Sequence, residues 1–142
     1  MRPGDGDTLV LKGHGIVEGR CVARALVSSM PLSFLGGVDP RTGVIVEKGH
    51  DLEGERISGR VLCFPHGKGS TVGSYILLAL KKRGLAPAGI VNELPDPIVV
   101  VGAIIAGIPM VVDVDISKLR TGDLVELDGG TGIIKIHRRA GE

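Results

Sequence analysis

Tryptophan and glutamine are absent from the 142-residue chain, asparagine occurs once, at Asn92, and aromatic residues make up only 2%. Without stacking rings or a basic stripe, nucleic-acid binding is not expected. The formal net charge of +1 points to no charged partner of either sign. Scarce amides fit a protein from a hot environment, although the charged fraction of 23% is ordinary and adds nothing to that reading. Cysteine is scarce too. Cys21 and Cys63 lie far apart, neither sits in a CxxC, and both read as small core residues in a reducing compartment. Two thiols cannot hold an iron–sulfur cluster alone, since the common cubane site takes about four.

Long apolar runs are also missing. The most apolar stretch, residues 98–112, is shorter than the ~18–20 residues of a membrane span, and Gly107 and Pro109 interrupt it. The opening MRPGDGDTLVL has no apolar stretch ahead of a cleavage site, so no signal peptide is expected. The chain reads as one domain over residues 1–142, soluble and cytoplasmic, without membrane contact.

What the chain does have is aliphatic residues and glycine. Hydrophobic residues reach 43% with few rings, so the core must be Val, Ile, Leu and Ala. The 23 glycines show no Gly-X-Y period and imply turns and close backbone approaches instead. Residues 8–12 and 20–27 read as strands with Gly13, Gly15 and Gly19 as turn points between them. Residues 28–43 read as a long loop, 44–47 as a short strand, and 60–64 as a strand buried on both faces. Ser70 is placed to cap a helix over 71–82, and 88–92 follows as a strand. Asp96 and Pro97 open a second helix over 97–106, apolar on nearly every side and hence expected to be buried against sheet or partner. Residues 109–114 are the next strand, and 123–127 with 133–137 form a hairpin. The centre is thus β-α-β-α-β with parallel strands, and the strand-only flanks imply a second sheet or half-barrel, an α/β domain with β/β/α layers.

The chemical signal is Gly67-Lys68-Gly69-Ser70-Thr71, between a buried strand and a helix. Glycines there let backbone amides approach a ligand, and the helix start adds N–H groups and a positive dipole end. An anion, or a hydroxyl becoming an alkoxide, would be stabilised there. A purely structural role, Ser70 as cap and the glycines as turn, also fits the local sequence. The Walker spacing is absent because Gly69 follows Lys68, and GxSxG is absent too, so nucleotide hydrolysis and a serine triad through His66 fit badly. Ser33 and Thr42 read as turn residues that could touch substrate. His14, His50 and His137 read as surface residues, and Asp39 as closing a turn before Pro40. Asp113 and Asp115 alternate like strand residues and are not read as metal ligands.

Taken in order, Ser33-Phe34-Leu35-Gly36-Gly37-Val38-Asp39, Thr42-Gly43, Gly67 to Tyr75, Arg83-Gly84-Leu85-Ala86-Pro87-Ala88 and Ala106-Gly107-Ile108-Pro109 resemble the aconitase X swivel family. That resemblance spans most of the chain and implies a swivelling β/β/α domain. It implies a larger catalytic subunit of aconitase X type, which carries a 4Fe–4S cluster and most of the pocket, and no cofactor on this chain. The family dehydrates small hydroxy acids. The loop, with Lys68 and Ser70-Thr71-Val72-Gly73-Ser74, is more similar to the branch acting on (R)-5-phosphomevalonate than to the branch acting on cis-3-hydroxy-L-proline. The former yields trans-anhydromevalonate 5-phosphate. The loop also resembles the Gly-x-Gly-Ser-Ser-Arg loop of ordinary aconitases. By that likeness Ser70 is the proton acceptor, while Val72 stands where the carboxylate-binding arginine would be. Lys68 or the partner would then supply the positive charge. Lys68, Gly69, Thr71 and Ser33 are the candidate substrate contacts, and an iron of the cluster would assist the leaving hydroxyl. The competing reading is a non-catalytic interaction module of the same fold.

Overall fold

The computed structural model describes residues 7–138, so residues 1–6 and 139–142 of the expected 1–142 domain lie outside the described residues. The strands are β1 (Asp7–Lys12), β2 (His14–Val17), β3 (Arg20–Val27), β4 (Val61–Phe64), β5 (Gly89–Asn92), β6 (Met110–Val112), β7 (Leu124–Asp128) and β8 (Ile133–Arg138). Two helices, α1 (Gly73–Lys82) and α2 (Pro97–Ala106), separate β4, β5 and β6, and a 3-10 turn spans Ile116–Lys118. The strands form one sheet in the order β1-β8-β7-β3-β4-β5-β6-β2.

β3 joins two regimes. Its first half, Arg20 to Arg24, pairs antiparallel with β7, and its second half, Ala25 to Val27, pairs parallel with β4. β4, β5 and β6 are parallel, as the crossover helices between them require. The two edge strands, β1 and β2, are consecutive in sequence, so the sheet must curl until its edges approach. Backbone contacts fasten the curl: Gly13 N–H donates to the Gly132 carbonyl at 2.9 Å and Gly129 N–H to the Gly19 carbonyl at 2.8 Å. A Cβ on Gly129 would fall on the Val17 carbonyl oxygen, and one on Gly15 on the Gly129 carbonyl oxygen. Only glycine permits these approaches. The expected half-barrel is present, and β2, read from sequence as a run of turns, is the strand that nearly closes it.

The central strands β4, β5 and β6 are buried on both faces because both are covered. Val61 and Cys63 of β4 face the barrel interior with Val91, Val111, Val125 and Ile134. Leu62 and Phe64 face the helix layer with Leu77, Leu80, Val99 and Ala103. The long segment between β3 and β4 also enters this second core through Leu32, Phe34, Val38, Ile45, Leu52 and Ile57. Burying each such side chain is worth about 1.5–3 kcal/mol, so this irregular stretch is anchored along its length. Residues 44–47 are not a strand. They make only isolated bridges, Val38 to Ile45 and Val44 to Arg56, because no neighbouring strand offers a continuous edge.

α1 and α2 pack closely at Gly102, where a Cβ would approach Leu77 Cδ1 to 2.5 Å. Ser74 Oγ donates to the Ile98 carbonyl at 2.7 Å and ties the two helices. α2 starts as read from the sequence: Asp96 accepts from Val99 N–H at 3.1 Å, Pro97 follows, and Gly107 ends it in the left-handed conformation. Its burial is only partial, however. Val99, Gly102, Ala103 and Ala106 are covered, whereas Val101, Ile104 and Ile105 face outward. Among the described residues no helix is long and apolar enough to cross a membrane.

Candidate active site

The Gly67–Thr71 loop leaves the C-terminal end of β4, the usual position for ligand sites in parallel α/β sheets. The loop is stitched down at its base. Leu32 N–H donates to the His66 carbonyl and Lys68 N–H to the Leu32 carbonyl, each at 3.2 Å. Gly67 is buried against the start of α2, where a Cβ would meet Asp96 Oδ2 at 2.5 Å. Gly69 then turns the chain with φ of 85°.

Ser70 is half-buried, one turn ahead of α1. Sequence placed it as the helix N-cap. Val72 occupies that position instead, with no side-chain capping bond, and the helix begins at Gly73. The reason is local: Ser70 Oγ accepts from Val72 N–H at 3.1 Å, a short serine turn that uses the hydroxyl two residues on. Among the described residues the N–H groups of Gly69, Ser70 and Thr71 find no acceptor in the chain. An oxygen that develops negative charge here has one backbone donor in place and further donors beside it. Thr71 and Val72 are exposed, and an apolar groove lined by Thr71, Val72, Tyr75, Ile98 and Val101 opens beside the loop.

Lys68 does not extend freely into solvent. Its Nζ lies 2.8 Å from Glu47 Oε2, and Glu47 Oε1 accepts from Ser33 N–H at 3.0 Å. Ser33 Oγ donates to the Leu35 carbonyl at 2.9 Å, the turn role read for it, and lies under Gly69. Ser33, Lys68 and Gly69 are therefore brought together, with Glu47 as the link that sequence did not single out. Burial pushes the Glu47 carboxyl up, but the bonds from Lys68 and Ser33 outweigh it and leave the group below its ordinary value. The Lys68 charge expected to serve the substrate is thus already matched by a carboxylate.

Other candidates separate from this cluster. Asp39 closes its turn by accepting from Arg41 N–H at 2.9 Å, and that bond with the Arg41 guanidinium lowers its carboxyl. Thr42 Oγ1 accepts from Val44 N–H at 3.3 Å, also a turn bond. His14 is exposed as expected. His50 is buried, contrary to its surface reading: Nδ1 accepts from Leu52 N–H and Nε2 meets the Pro31 carbonyl, each at 3.1 Å, so the ring pins the long loop. His66 Nδ1 bonds the Gly67 carbonyl at 2.7 Å rather than Ser70. His137 is only half-exposed and pairs with Glu126 at 2.6 Å. Asp113 and Asp115 are not strand residues. Asp113 turns the chain after β6 with φ of 62°, and Asp115 caps the 3-10 turn through Ser117.

The two thiols do not fit a cluster. Cys63 is fully buried, its thiol driven up by desolvation, and Cys21 is half-buried and raised for the same reason. Among the described residues no group of three or more His, Cys, Asp or Glu could hold a metal ion.

Layering and loop together define a swivel-type β/β/α domain that presents a half-buried serine at a sheet end, beside an open apolar groove. The chain belongs to the aconitase X swivel domain family, whose pattern matches residues 10–136. It is 55% identical over 126 residues to the phosphomevalonate dehydratase small subunit of Pyrococcus furiosus, covering 89% of this chain and 94% of that one. To the small subunit of the same name from Methanocella arvoryzae it is 53% identical over 129 residues, covering 89% and 98%. It is also similar to the crystal structure of Thermococcus kodakaraensis aconitase X in its holo form. That match has a TM-score of 0.89 and 50% identity, and covers 90% of this chain and 98% of the other.

Proposed function

We propose that this chain is the small subunit of a phosphomevalonate dehydratase, a hydro-lyase active only with its large subunit, and that Ser70 takes the proton from (R)-5-phosphomevalonate. One observation supports the catalytic part: Ser70 is half-buried in the open loop and its Oγ accepts from Val72 N–H, beside backbone donors that find no acceptor among the described residues. A free serine is a poor base near neutral pH. Amides and the start of α1 favour the oxyanion over the hydroxyl, and so make Ser70 a better acceptor for a proton alpha to a carboxylate.

The remaining parts of the site fall to the large subunit. Val72 leaves no arginine on this loop for the substrate carboxylate, and Lys68 is engaged by Glu47. The large subunit would supply that cation, the phosphate contacts and the acid for the leaving hydroxyl. It would also carry the iron–sulfur cluster, for which Cys21 and Cys63 are unsuited. The two free thiols fit a cytoplasmic setting.

The test is to combine this chain with its large subunit and follow (R)-5-phosphomevalonate for loss of water, with cis-3-hydroxy-L-proline in parallel. Formation of trans-anhydromevalonate 5-phosphate, with neither subunit active alone, is the expected result. Turnover of the proline derivative alone would move the chain to the other branch. An assembled complex inert to both would favour the non-catalytic module.

A further inference from the structure

We infer that Glu47 is a positioning residue that braces the Ser70 loop through Lys68 and Ser33. The inference rests on the dehydratase reading and adds a residue to its machinery. Glu47 divides its carboxylate between two segments: Oε2 with Lys68 Nζ at 2.8 Å and Oε1 with Ser33 N–H at 3.0 Å. Its side chain is only 18% exposed, against 48% for Lys68, so the pair is anchored at the carboxylate end.

The surroundings leave little slack. Gly37 passes so close that a Cβ there would fall on the Ser33 carbonyl oxygen and within 2.9 Å of Glu47 Oε1. Val46 N–H and Glu47 N–H both donate to the Gly37 carbonyl, at 2.8 and 3.2 Å, and fix the backbone from which Glu47 projects. Gly69 rests on Ser33, where a Cβ would meet Ser33 Oγ at 2.6 Å. Glu47 thus holds the floor of the loop at Ser33 and its near wall at Lys68, and Ser70 is the next residue but one. A charge-assisted bond with reduced solvent access is stronger than an exposed pair of the same length. Losing it frees Lys68 and loosens the floor, which shifts Ser70 relative to a substrate held by another chain. Displacement of a reacting group by about 1 Å can cost about a hundredfold in rate.

The decisive variant is Glu47→Gln, which keeps size and the Oε1 acceptor for Ser33 but removes the charge that holds Lys68. It is tested in the assembled two-subunit enzyme on (R)-5-phosphomevalonate, beside Glu47→Ala. In E47Q, kcat should fall about tenfold with KM changed by less than about threefold, the signature of a misplaced reacting group rather than lost binding. E47A should fall further, and E47Q should thus be a partial rescue of it. With Lys68→Met as background, E47Q should add little, because the two residues act as one unit. If E47A fails to assemble, E47Q alone decides. Native kcat in assembled E47Q, or a raised KM with native kcat, overturns the inference while leaving the dehydratase reading intact. An inert wild-type assembly overturns both.

Discussion

Gly69 lies directly over Ser33: a Cβ on the glycine would sit 2.6 Å from the serine Oγ, and the glycine backbone holds φ of 85°. Gly54 has a similar φ of 90° with nothing within 4 Å of its missing Cβ. Alanine at either position carries the left-handed penalty of roughly 1–2 kcal/mol. Only Gly69→Ala also pushes the loop off Ser33. Both variants should lose similar stability in urea unfolding, with G69A slightly worse, whereas turnover in the assembled enzyme should fall only in G69A. Equal turnover in the two would show that contact with Ser33 does not set the loop.

Ser70→Ala separates stability from chemistry. Among the described residues the hydroxyl makes one hydrogen bond, from Val72 N–H at 3.1 Å, so its loss should cost no more than about 0.5–1.5 kcal/mol. Removing a proton acceptor should cost about 10²–10⁴-fold in kcat. The expected S70A enzyme is folded, assembled with its large subunit and nearly inert, by calorimetry, gel filtration and steady-state assay together. Turnover within a few-fold of wild type would exclude Ser70 as the base.

Glu47 also predicts a pH dependence of stability. Its carboxyl lies below its ordinary value in the folded chain, despite burial, because Lys68 and Ser33 N–H bind the charged form. A lowered folded value means that the unfolded chain binds the proton more readily. Its contribution is therefore complete above the unfolded value and is lost as pH falls through the folded one. Asp39, Asp115, Glu126 and Asp128 are lowered as well, so acid destabilises wild type through several groups. The difference between wild type and E47Q isolates one of them. It should be constant well above the ordinary carboxylate range and shrink as pH falls through that range and on through the lower folded value. Urea midpoints measured across that range check this, and parallel curves would contradict it.

Elements with local signals were legible from sequence. β4 is four apolar residues followed by a glycine loop, α2 is bracketed by Asp96-Pro97 and Gly107, and Asp128 to Gly132 marks the last hairpin. The failures share a cause. β2 exists because Gly13, Gly15 and Gly129 let backbones touch across the curled sheet, and its partner β6 lies far along the chain. Residues 44–47, Val-Ile-Val-Glu, have the β-branched composition of a strand but meet no continuous edge. His50 reads as a surface residue until Pro31 and Leu52 are folded round it. The site divides the same way. The Gly67–Thr71 loop announces itself by composition, whereas Glu47 matters only through Ser33 and Lys68, both distant in sequence.

The thiols give a check on the layered core that needs no partner. Cys63 lies inside the half-barrel with no exposed surface, and desolvation, then the nearby Asp123 and Cys21, drive its thiol up. Cys21 is raised by partial burial, against a bond from the Leu127 backbone that lowers it. Only the thiolate attacks an aromatic disulfide reagent, and each unit of raised pKa removes about nine-tenths of it near the free-thiol value. At about pH 8 the native chain should therefore label slowly at Cys21 and not at Cys63. Cys63 should react only as fast as the fold opens, so its rate should rise with urea in step with global unfolding. Cys21→Ser leaves Cys63 as the single reporter. Rapid labelling of that variant in native buffer would mean that the curled half of the sheet, β7 and β8, does not cover β4, and the β/β/α layering would fail with it.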